Sequence, residues 1–140
     1  MRNNINKNSI IIQLFNKVNT FSNMIEKLIK NREVITFSIW QKGVQIVSYS
    51  YHTKEALIMI DAIKKKDYNC ILINDFIRVI NENSTKLDLN SKVIISVNEL
   101  FFSYTIDTNQ LQQFIKEAKE WYNEIFYNAV ISKKSSYPRT

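Results

Sequence analysis

The 140-residue chain has one glycine, one proline, one cysteine and one histidine. The scarcity of glycine, cysteine and histidine removes classes of chemistry. A single glycine, Gly43, excludes the glycine-rich loops that cradle phosphates in P-loop and dinucleotide-binding proteins. A single cysteine, Cys70, excludes an internal disulfide and any multi-cysteine zinc motif, which fits a reducing compartment. One histidine, His52, and one cysteine cannot by themselves assemble an ordinary zinc site. A Cys70–His52 nucleophile and base could be drawn, but Cys70 lies in an apolar run, where an inert thiol is the usual outcome. No stretch approaches the ~20 apolar residues that span a bilayer. The segment SIIIQLF is short for a signal-peptide core, and no small-residue cleavage site follows it. The expectation is a protein without membrane span, metal or cofactor, in the cytoplasm or the equivalent matrix or stroma of an organelle.

What is abundant is equally skewed. Asn (17), Ile (22) and Lys (15) dominate, whereas Ala and Arg occur four times each. The abundant residues have AT-rich codons and the scarce ones GC-rich codons, so an AT-rich genome accounts for much of the bias. The net charge of +6 sits mainly in the ends, because residues 9–131 hold 14 basic and 13 acidic side chains. A near-neutral body argues against a strong nucleic-acid footprint. With 45% hydrophobic residues and 17 aromatics, the chain has the material for a packed core. The expected organisation is a single α+β domain over 9–131, between flexible basic tails at 1–8 and 132–140.

Apolar residues from Ile11 through Leu14, Phe15, Val18, Phe21 and Ile25 to Ile29 recur with helical spacing. They predict one long helix over about 9–31, with a bend near Thr20, Ser22 and Asn23. Ile35, Phe37 and Ile39 alternate with polar positions, and a second β-rich run follows from Val44 to Tyr51. Between them QKG predicts a three-residue hairpin loop with Gly43 left-handed, placing Trp40 opposite Val44. A helix then starts at His52-Thr53, with Thr53 as cap, and closes at Lys64-Lys65-Lys66. CILI (70–73) reads as a buried strand, and 74–83 as either a helix capped by Asp75 or more strand. NENSTKLDLNS reads as a polar, mobile connection. Val93, Ile95 and Val97 alternate, and Asn98-Glu99 is a turn into a strand through Phe102 and Tyr104. Asp107 and Gln110 form a capping pair for a helix to about residue 131. Glu117, Glu120 and Glu124 read as its solvated face.

This pattern predicts an antiparallel sheet of about five strands in the order α-β-β-α-β-β-β-α, with helices packed on it. Over about residues 9–131 that order resembles roadblock and longin-type scaffold domains and, less closely, small secretion-chaperone folds. The resemblance implies a non-catalytic module that pairs with itself or another protein. Two surfaces are candidates for binding. Val34, Trp40, Val44 and Ile46 would form an apolar patch for a protein partner or homodimer if no helix covers that face. Tyr49, Tyr51, Phe101 and Tyr104, with Lys133 and Lys134 in the tail, would serve a single-stranded nucleic-acid-binding accessory protein. A phage-type stoichiometric inhibitor is a further reading of a small domain from an AT-rich genome. Nothing in the sequence nominates a catalytic residue.

Overall fold

The computed structural model describes residues 9–31, 34–98 and 102–136, with side chains as far as Tyr127. Its first two helices come from the segment expected to form one. Helix α1 spans Ile10–Thr20 and α2 spans Ser22–Lys30. The break falls at Phe21 (φ −104°, ψ 13°), inside a run of Asn, Thr and Ser that lowers helix propensity. The turn carries Phe21 to Phe102, with ring centroids 5.5 Å apart, while Ile25 and Ile29 remain fully buried.

Strands β1 (Val34–Gln41) and β2 (Val44–His52) form the hairpin. Its loop has two residues rather than three: Lys42 (φ 55°) and Gly43 (φ 74°) are both left-handed, as a type I′ turn requires. Gln41 therefore opposes Val44, and Trp40 opposes Gln45. A bulge between Ile39 and Trp40 absorbs Ile46, which restores Ile39 opposite Val47. Helix α3 covers Thr53–Lys65, with His52 rather than Thr53 at its N-cap. The Glu55 carboxylate accepts from the His52 backbone N–H at 3.2 Å. The lysine run ends α3 as expected: Lys64 pairs with Glu26 of α2, Lys65 with Asp61 at 2.9 Å, and Lys66 is left-handed.

The expected strand at 70–73 is instead the start of helix α4, Ile71–Glu82, with Cys70 as its N-cap. Ile73, Phe76, Ile77 and Ile80, spaced as one helical stripe, are all buried. That stripe outweighs the local β-branched preference of a four-residue apolar run. The polar connection after it contains a 3₁₀ turn at Ser84–Lys86 and a buried Leu87. Strands β3 (Val93–Val97) and β4 (Phe102–Ile106) follow, and α5 runs over Thr108–Ser136. The expected Asp107–Gln110 cap is present, with the Asp107 N–H donating to Gln110 Oε1 at 3.3 Å.

The molecule is thus α+β, but its sheet has four strands among the described residues rather than about five. Their order is β2-β1-β3-β4, antiparallel throughout. Ile35, Phe37, Ile39, Val93, Ile95, Val97 and Ile106 point into the core that the helices cover. On the opposite face Val34, Ser48, Ser50, Ile94, Ser103 and Thr105 are exposed. The described helices therefore form one layer, and none of them lies over the other side of the sheet, where Ser38 and Ser96 are nonetheless buried between neighbouring strands. No helix among the described residues is long and apolar enough to cross a membrane.

Candidate functional site

The alternation that buries Ile39 sends Trp40 to the open face, and β1–β3 pairing sets Ile94 directly beside it. Ile94 is 40% exposed. The Trp40 indole N–H donates to Ser96 Oγ at 3.2 Å, drawing the ring back along β3. Ser96 is buried although no described helix lies over it. Beside these residues runs a groove of about 810 Å³, bounded by the Lys42–Gly43 turn, Asn90–Lys92 and Thr108 at the start of α5. That volume lies within the usual range of ligand sites.

The groove's loop wall is braced from the hairpin. Gln41 is buried, and its Nε2 donates to the carbonyls of Asp88 (2.7 Å) and Ser91 (3.2 Å). Its Oε1 accepts from the Asp88 N–H at 2.7 Å. One side chain thus satisfies three backbone groups of the segment expected to be mobile. Next to it, the Lys42 ammonium meets the Asp88 carboxylate at 2.5 Å. That contact, joined by the Asn90 N–H, holds the Asp88 carboxyl below the usual carboxylate range. Lys92 is exposed and has no ion pair among the described residues.

The four residues expected to form a partner patch do not gather at one point. Trp40 lies in the groove. Val34 is exposed but six residues away along β1, roughly 20 Å at strand spacing. Val44 is 59% exposed, opposite Gln41 at the end of the hairpin. Ile46 is the bulge residue, half-buried against the core. Ile94 takes the place beside Trp40. The sequence signal for it was available, since Ile94 alternates with the core residues Val93 and Ile95, but an unbroken apolar run hides which members face out.

The tyrosines expected to stack on nucleic acid face the helix layer. Tyr51 is buried, packs edge-on against Phe37 and Tyr49, and donates its hydroxyl to the Leu72 carbonyl at 2.8 Å. Burial pushes its phenol well above the ordinary value. Tyr49 and Tyr104 are half-buried against the same core, and burial raises both phenols as well. Phe101 and the side chains of Lys133 and Lys134 lie outside the described residues. Among the described residues no cluster of His, Cys, Asp or Glu could hold a metal ion.

Comparison with protein-family models, with curated proteins and with solved structures finds no match to this chain. The roadblock and longin likeness rests on the expected order α-β-β-α-β-β-β-α, and helix α4 in place of the strand at 70–73 departs from that order.

Proposed function

We propose that the chain is a non-catalytic interaction module that engages a protein partner through the open face of its sheet. The observation that carries this reading is half-buried Trp40 side by side with exposed Ile94 at a braced groove, on a face whose other exposed positions are mostly serine and threonine. Isolated exposed apolar residues are ordinary, but a tryptophan and an isoleucine side by side at a concavity have the makings of an interface centre. The brace from Gln41 and Lys42 supports it further, because a pre-formed surface loses less entropy on binding.

The test compares wild-type chain with Ile94→Asp and Trp40→Ser, each isolated at native expression level and each melted. The reading predicts a stoichiometric protein partner, or a second copy seen by sedimentation, that both variants lose. The Ile94→Asp melting temperature should stay within a few degrees of wild type, since Ile94 is already exposed. A partner retained by both variants, or nucleic acid in its place, would contradict the reading.

A further inference from the structure

We infer that the groove beside Trp40 receives an extended acidic segment of a partner protein, with one apolar side chain seated at Trp40–Ile94 and carboxylates facing Lys92. The inference rests on the interaction reading above and assigns the chemistry of the partner. Its first support is charge. Lys42 and Lys92 line the groove, and among the described residues no carboxylate does. Lys42 is already engaged by Asp88, which leaves the Lys92 ammonium to meet an incoming anion.

The second support is what the chain itself could supply. Residues 1–8 carry Arg2 and Lys7, residues 132–140 carry Lys133, Lys134 and Arg139, and neither end has an acidic residue. Lys92 would repel both of these basic segments, which favours an acidic segment of another protein over either of them. The third support separates a peptide from a nucleic-acid strand. Strand binders stack successive bases on successive rings. Among the described residues Trp40 is the one aromatic side chain on the open face, whose other positions on β2, β3 and β4 include Ser48, Ser50, Ser96, Ser103 and Thr105. A single apolar anchor beside the Lys92 ammonium suits one hydrophobic side chain with an acidic neighbour.

Selection of a displayed random nonapeptide library on the full chain tests this, with counter-selection on Trp40→Ser and separately on Ile94→Asp. Clones that depend on both residues should carry Asp or Glu around one aromatic or branched aliphatic residue. A synthetic peptide from the commonest clone should bind Lys92→Glu about tenfold more weakly, and raised salt should weaken its binding to wild type. Dependent clones that are basic, or that show no charge bias, would overturn the acidic assignment and leave the interaction reading standing. An absence of dependent clones, or tighter binding of the single strand (dT)12 at the same groove, would overturn the peptide assignment. The interaction reading is then judged separately, by the partner lost or kept in Ile94→Asp.

Discussion

Gln41 and Lys42 are neighbours with opposite surroundings, one buried and one at an exposed turn, yet both hold the same short segment. Gln41 satisfies the backbone of Asp88 and Ser91, and Lys42 holds the Asp88 side chain. Together they fix the wall on which Lys92 stands. The Asp88 carboxyl is depressed chiefly by its hydrogen bond to Lys42, so the folded state favours the ionised form. The resulting stabilisation is fully present above the unfolded carboxylate range, near pH 4, and is lost as pH falls through the lower folded value. Carboxyl NMR titration should show the Asp88 midpoint rise in Lys42→Met, whereas an unchanged midpoint would remove the bracing role of this pair. Lys42 also adopts a left-handed conformation that costs a non-glycine residue energy.

At the scale of elements, Glu117 shows how far a local reading can miss. Its spacing with Glu120 and Glu124 suggests a solvated face of α5. In the structure its carboxylate accepts from the Ser9 hydroxyl (2.7 Å) and from the backbone N–H groups of Ile10 and Ile11 (3.1 Å each). Gln113 Nε2 donates to it as well, at 2.7 Å. A side chain from the last helix thereby caps the first, where exposed N–H groups and the helix dipole favour an anion. Glu117→Ala should cost about 1–2 kcal/mol in urea unfolding, the scale of a lost N-cap. A change no larger than that of an exposed control such as Glu120→Ala would contradict the clasp. More than a hundred residues separate the partners, so no local pattern could have revealed the pairing.

The elements themselves were more legible. Helical spacing marked α1, α3 and α5, and alternation marked β1 and β3, because each of these buries one face and its period follows. CILI misled because four apolar residues fit a strand or one helical turn equally well; only the continuation through Phe76, Ile77 and Ile80 decides for the helix. Gly43 gave away the turn but not its length. The two-residue loop follows from Lys42 also accepting positive φ, which a lysine does not advertise.

For the whole molecule, the governing feature is that the described helices all pack on one side of the sheet. Every described α-helix contributes buried apolar residues to the core on one face of the sheet, and the other face carries serine, threonine, exposed Val34 and the Trp40–Ile94 pair. Sequence alternation sorted Trp40 to the correct side of β1, but whether a helix lay over it depended on the layer order, which only tertiary contacts determine. The site was therefore half legible: its tryptophan could be named, and its isoleucine, its lysine and its braced loop could not. The most direct measurement of this architecture is acrylamide quenching of the two single-tryptophan variants of the full chain. In Trp121→Phe the emission comes from half-buried Trp40 at the groove, and in Trp40→Phe it comes from Trp121, which is 5% exposed. The open-face account predicts a clearly steeper quenching slope for Trp40; a slope as shallow as that of Trp121 would show Trp40 to be covered and would contradict it.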